Sequence, residues 1–221
     1  MKSELIKRIL TSAIMIPIAF FFILKGSIYF TFLLTLFFVA ATFEWLNLIK
    51  KNYLIKLIGI IVLLISFFSA YLLREKFGIN FFIFILLICI FTDLGGYFFG
   101  NILKGPKLTK ISPNKTYTGV IGSFLASLLV GIFYIKFLDN EFILKYPLQI
   151  IFFILTISLV SQIGDLIISY FKRKAKLKDT GKILPGHGGF LDRIDGIIFV
   201  MPVTLLFILP ILTSKLDLVK S

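Results

Sequence analysis

The sequence predicts an all-α fold: a polytopic integral membrane bundle of roughly seven transmembrane helices with a polar cavity facing the cytoplasm. Three observations lead there. The 221 residues are 58% hydrophobic, with a mean hydropathy of +1.01. Apolar runs approach or exceed about 18 residues again and again, where a soluble core would interrupt them with polar positions. Basic residues, 24 against 11 acidic, gather in alternate gaps between those runs.

Taken in order, residues 9–24 follow Lys2, Lys7 and Arg8, as a secretory leader would. No small-residue cleavage site follows and a second apolar run begins at Ile28, so this segment reads as an uncleaved first span. Residues 28–49, 54–73, 81–99, 119–138, 148–171 and 196–213 are the remaining apolar runs, each long enough for a spanning helix. The pattern divides into N-terminal transmembrane helices over 1–80 and a C-terminal transmembrane catalytic region over 81–221. The latter carries loops 101–117 and 172–195 within one continuous membrane domain. The 27 phenylalanines suit lipid-facing and packing surfaces. Cys89, the single cysteine, lies inside an apolar run and reads as a buried thiol.

Charge then orients the chain. The N-terminus and the gaps at 50–56, 104–115 and 172–193 carry 17 of the 24 Lys and Arg. The positive-inside rule places those gaps in the cytoplasm. A net charge of +13 accordingly reflects topology and attraction to anionic headgroups or nucleotides. With no exposed aromatics interleaved among the basic residues, nucleic acid is excluded as a partner.

Residues 169–195, SYFKRKAKLKDTGKILPGHGGFLDRID, are the densest chemistry in the chain. Asp165 closes an apolar run just before them, and a lone carboxylate at that depth costs several kcal/mol unless paired or solvated. Ser158, Gln162, Asp165, Ser169 and Lys172 step by three or four residues and form one polar stripe on a helix. Such a stripe faces either a water-filled cavity or a polar seam between helices in which a lysine neutralises Asp165. Asp192 and Asp195 share one face of a helix start and, with Asp165, form a candidate site for a divalent cation. The competing reading of an aspartate there is a helix N-cap.

The loop Pro185-Gly-His-Gly-Gly189 has glycines that let backbone N–H groups approach anionic oxygens, although turns use the same residues. His187 is a candidate phosphate or base contact and not a metal ligand. Upstream, Asp93 precedes a Gly96/Gly100 pair typical of helix packing faces. The turn containing Ser112, Asn114, Lys115 and Thr116 suits a phosphate, as would a plain basic loop.

The run Ser169-x-x-Lys172-Arg173-x4-Lys178-Asp179-x-Gly181-x3-Pro185-Gly186-His187-Gly188-Gly189-x2-Asp192-Arg193-x-Asp195 resembles the signature of the phosphatidate cytidylyltransferase (CDP-diacylglycerol synthase) family over 27 residues. Gln162-x-Gly164-Asp165-Leu166, Ser112-Pro113-Asn114-Lys115-Thr116 and Asp93 with its glycines are similar to other segments of that family. Together the matches run from Asp93 to Asp195, about half the chain. The N-terminal spans agree in general character, including Phe43-Glu44-Trp45. Tyr117-Thr118 departs from the family's usual aromatic-acidic pair, and the chain is shorter than many members.

The resemblance implies transfer of a cytidylyl group from CTP to phosphatidic acid in phospholipid biosynthesis, with catalytic residues Asp165, Lys172, Arg173, Asp192 and Asp195. It implies Mg²⁺ on Asp165, Asp192 and Asp195, and a second, monovalent cation such as K⁺ nearby. Lys172, Arg173 and Lys178 would clamp phosphates, while Ser112, Lys115, Thr116 and Ser169 would hold a phosphate, including that of the lipid. Asp93, Asp179, His187, Gly188 and Arg193 complete the implied substrate-binding set. A homodimer in a bacterial inner membrane, with the site facing the cytoplasm, is implied as well. Two other readings remain open: a cytidylyltransferase or kinase for another lipid phosphate or polyprenol, and an ion transporter with intramembrane aspartates. The spaced pattern of a CDP-alcohol phosphotransferase is missing, with Asp195-Gly196 only a fragment of it.

Overall fold

The computed structural model describes residues 2–109, 111–138, 145–186 and 188–220, with side chains described over the part of these from 10 to 208. Among them are seven helices: α1 (Lys2–Lys25), α2 (Ser27–Leu48), α3 (Tyr53–Phe77), α4 (Ile79–Leu103), α5 (Tyr117–Leu138), α6 (Pro147–Lys174) and α7 (Leu191–Lys220). Six of the seven expected apolar runs lie within one of them; the run 28–49 overshoots α2 by one residue, since Ile49 is already extended at its C-terminus. Five of the seven, α2 to α6, are long and apolar enough to cross a bilayer. A helix satisfies its own backbone, which is what hydrocarbon demands of any spanning segment. Large apolar side chains such as Phe68, Leu129, Phe133 and Phe137 point outward on these helices. This is an integral membrane protein built as a helical bundle.

Two single-glycine joints set the turns between helices. Gly26 (φ 66°) separates α1 from α2, and Gly78 (φ 86°) separates α3 from α4, both in backbone regions that L side chains rarely adopt. Arg74 closes the first joint: its guanidinium donates to the carbonyls of Ile23 and Leu24 at 3.1 Å. Those carbonyls belong to the end of α1, where helix carbonyls lack intrahelical donors and a cation is favoured. Glu75 pairs with Arg74 at 2.7 Å and accepts the Ser27 N–H at the start of α2.

α4 and α5 share the most extensive helix contact. Gly95, Gly96 and Gly100 of α4 lie directly against Gly119, Gly122 and Ser123 of α5, so the Gly96/Gly100 pair is the packing face it was expected to be. Cys89 is buried and unpaired in the main apolar core, beside Ile85, Ile88 and Ile157. A second core cluster lies closer to the loops and joins α2, α3, α6 and α7 through Trp45, Leu63, Ile168, Phe190 and Ile198. Trp45 meets Phe171 edge-on at 5.0 Å, and Phe37 meets Phe190 at 4.6 Å. This cluster holds the start of α7 against the end of α2. A cavity of about 300 Å³ between α3, α6 and α7 is lined by apolar residues such as Val62, Val160, Ile163 and Phe199.

Candidate active site

The polar stripe of α6 runs along the inside of the bundle; Ser158, Asp165, Ser169 and Lys172 each have a side-chain partner, while the buried Gln162 Nε2 has none among the described residues. Ser158 accepts the Thr92 hydroxyl of α4 at 2.9 Å, both groups being buried. Ser169 donates to Asp165 Oδ1 at 3.2 Å. Lys115, at the end of the 104–116 loop, reaches Asp165 Oδ2 at 2.5 Å and the Gln162 carbonyl at 3.4 Å. Lys172 binds Asp192 Oδ1 at 2.7 Å.

Asp165 is thus paired with a lysine, as the polar-seam reading required, but that pairing does not exhaust the charge. Asp195 of α7 lies within hydrogen-bonding reach of Asp165, and Asp93 of α4 is close enough to repel both. Lys172 attracts Asp165 and Asp195 together. Asp195 is buried, and its Oδ1 accepts the Gly196 N–H at 2.9 Å. Three carboxylates and two lysines from α4, α6, α7 and the loop before α5 therefore share one neighbourhood. Gly164 and Gly196 make it possible: a side chain at Gly164 would strike Phe199 and the Asp195 carbonyl, and one at Gly196 would strike Ser161.

Asp192 faces elsewhere. Besides Lys172, it accepts the Thr180 N–H at 2.8 Å and the Gly189 N–H at 3.3 Å on Oδ2. Neither aspartate is the N-cap of α7. That role falls to Glu44 of α2, whose carboxylate accepts the N–H groups of Phe190 at 2.9 Å and Leu191 at 2.8 Å. Within the glycine-rich loop the Gly189 N–H goes to the chain's own Asp192, and the Phe190 and Leu191 N–H groups that follow it go to Glu44. Among the described residues no three His, Cys, Asp or Glu side chains are arranged as a ready metal cage.

The remaining candidates are placed as follows. Arg173 is exposed and donates to the carbonyls of Ile111 and Leu177 at 3.3 Å, tying the two loops together. Thr116 caps α5 by accepting the Gly119 N–H at 3.1 Å. The Ser112 carbonyl accepts the Lys115 N–H, closing the turn that aims Lys115. Thr118 lies 3.0 Å from the Thr116 hydroxyl and accepts the Gly105 N–H at 3.3 Å. Lys178 and Asp179 are exposed on the loop, and Arg193 is exposed in the first turn of α7. Gly188 takes φ 82°, with the side chain of Asp179 packed against it. His187 lies outside the described residues.

Glu44 and Thr180 are the residues that motif reading passed over. Glu44 is 1% exposed and has three donors, counting the Thr180 hydroxyl at 2.8 Å. Its signal was available: an acid inside an apolar run is a functional candidate by default.

Helices suited to a bilayer, with carboxylates and lysines converging from four elements, define a membrane enzyme that handles anionic groups. Residues 51–210 match the model of the cytidylyltransferase family. A phosphatidate cytidylyltransferase of Rickettsia bellii is 37% identical over 209 residues, covering 91% of this chain and 90% of the relative. Phosphatidate cytidylyltransferases of Staphylococcus saprophyticus and Staphylococcus haemolyticus are 43% and 42% identical over 139 residues. Those alignments cover 62% of this chain and 52% of each staphylococcal protein, about half its length. The chain belongs to the cytidylyltransferase family.

Proposed function

We propose that the protein transfers the cytidylyl group of CTP to the phosphate of phosphatidic acid, giving CDP-diacylglycerol and pyrophosphate. The observation that carries this reading is the meeting of Asp165 with Asp195, flanked by Lys115 and Lys172. The extended likeness to a relative named for that activity supports it. A phosphate oxygen of the lipid forms a bond to the α-phosphorus of CTP as the bond to the β-phosphate bridging oxygen breaks. The nucleophile is already ionised near neutral pH, so the chain's task is to position two anions and screen their repulsion.

The donor set suits a hard divalent cation. Two carboxylates brought together away from bulk water repel one another, and Mg²⁺ is held in other sites by one or two carboxylates plus substrate phosphates. Asp165 and Asp195 are the residues proposed to hold it, with Asp192 contributing through Lys172. When bound, the cation supplies charge neutralisation on the triphosphate. Lys115 and Lys172 draw phosphate oxygens to the carboxylate pair. Ser112, Thr116 and Ser169 border the lipid phosphate. Arg173 and Lys178 extend the cationic surface toward incoming nucleotide.

Loop charge supports placing this end of the bundle in the cytoplasm of a bacterial inner membrane. A polar opening there lets CTP enter from water while phosphatidate stays in the bilayer. Assembly as a homodimer is part of the same reading. The test is purified protein with labelled CTP and phosphatidate, with and without Mg²⁺. Cation-dependent CDP-diacylglycerol is expected; absence of product with phosphatidate, or product with a polyprenyl phosphate alone, would overturn the assignment.

A further inference from the structure

Glu44 is a carboxylate with no lysine or arginine against it among the described contacts, yet it is one of the most buried polar residues in the protein. A buried charge persists only where donors replace water. Here the donors are two N–H groups at the start of α7 and the hydroxyl of Thr180, so three bonds link α2 to the interior of the α6–α7 loop and to its junction with α7. The loop is shaped around this carboxylate. A side chain at Gly181 would strike Glu44, and one at Gly189 would strike Thr180, the Gly181 N–H and Glu44. These two glycines of the motif serve clearance for Glu44.

Thr180 links that lock to the site. Its hydroxyl is 2.8 Å from Glu44 Oε2 and 3.1 Å from Asp192 Oδ2, while its backbone N–H donates to the same Asp192 oxygen. A hydroxyl has one proton to give, and the nearer acceptor is Glu44. The chain of contacts then runs Glu44, Thr180, Asp192, Lys172, with Lys172 beside Asp165 and Asp195. From this juxtaposition we infer that Glu44 is a positioning residue for the transfer reaction. It holds the loop and, through Thr180 and Asp192, fixes Lys172 where the triphosphate of the nucleotide is received. The inference rests on the function proposed above for this site.

The test uses the full chain in lipid nanodiscs, comparing wild type with Glu44→Gln, Thr180→Val, Thr180→Ser and the Glu44→Gln/Thr180→Val double variant. Glutamine puts an N–H₂ where the loop offers only donors; valine removes the hydroxyl and serine keeps it. Glu44→Gln and Thr180→Val are expected to raise the KM for CTP at least tenfold, with the KM for phosphatidate within twofold of wild type. Thr180→Ser should retain wild-type constants, and the double variant should be no worse than the worse single one, because both act on one chain of contacts. A role limited to folding would lower kcat through a smaller active fraction and leave the KM for CTP alone; that pattern overturns the inference. If Glu44→Gln fails to fold, the valine and serine pair at Thr180 decides. Should wild type form no CDP-lipid, the function assignment fails separately, and trypsin then decides the lock. Faster cleavage after Lys176, Lys178 and Lys182 in Thr180→Val than in Thr180→Ser supports it, and equal rates overturn it.

Discussion

Replacing Lys172 with methionine isolates what the Lys172–Asp192 pair contributes. The pair is 2.7 Å long, with side chains 11% and 9% exposed, so it is shielded from the screening that makes surface pairs weak. Removing one partner of a buried pair strands the other charge and costs about 3–5 kcal/mol. Asp192 keeps its two backbone N–H donors in the variant, which favours the lower end, about 3 kcal/mol. Each 1.4 kcal/mol is tenfold in an equilibrium, so the loop should open on the order of 10² times more often. Amide hydrogen exchange in lipid nanodiscs measures this directly. Thr180 and Gly189 should exchange on the order of 10²-fold faster, while the α4–α5 core keeps its protection. The Lys172→Met/Asp192→Asn double variant removes both charges and should recover most of the lost protection. Unchanged exchange in Lys172→Met, or a double variant as open as the single one, would refute the assignment of Asp192 to loop anchoring.

Other consequences follow from the same geometry. Asp165→Asn and Asp195→Asn should each abolish cation-dependent CDP-lipid formation with membrane insertion intact, and full activity in either variant would remove it from the cation site. Asp192→Asn should lower the rate while keeping the divalent-cation dependence, as read from Mg²⁺ titration of the same assay. Gly189→Ala drives a methyl into Thr180, the Gly181 backbone and Glu44 and should cost about 3 kcal/mol of thermal stability, the upper end for a methyl forced into a packed site. Gly78→Ala, with open space but φ 86°, should cost about 1 kcal/mol; equal thermal shifts would contradict the packing account at Gly189. Cys89, buried and unpaired, should resist a maleimide in native membranes and react on denaturation; rapid native labelling would contradict its burial.

Much of the architecture was legible because bilayer insertion depends on local composition. A run of apolar residues long enough to span must be helical to satisfy its backbone, wherever it packs. Hence the seven helices, the burial of Cys89 and the packing role of Gly96 and Gly100 follow from residues close together in the chain. The polar stripe of α6 was legible for a similar reason, since helical periodicity places Ser158, Gln162, Asp165, Ser169 and Lys172 on one face.

Partner choice was decided by the tertiary structure. Spacing placed Asp192 and Asp195 together at the start of α7, but Asp195 turns toward Asp165 while Asp192 turns back to Lys172 and Thr180. An aspartate at the start of α7 is the local capping candidate, and the cap is instead Glu44, 147 positions before Leu191. No local periodicity encodes such a contact. It exists because the Trp45–Phe190–Ile198 cluster brings the end of α2 against the start of α7, where unpaired N–H groups need an acceptor that the surrounding apolar side chains cannot supply.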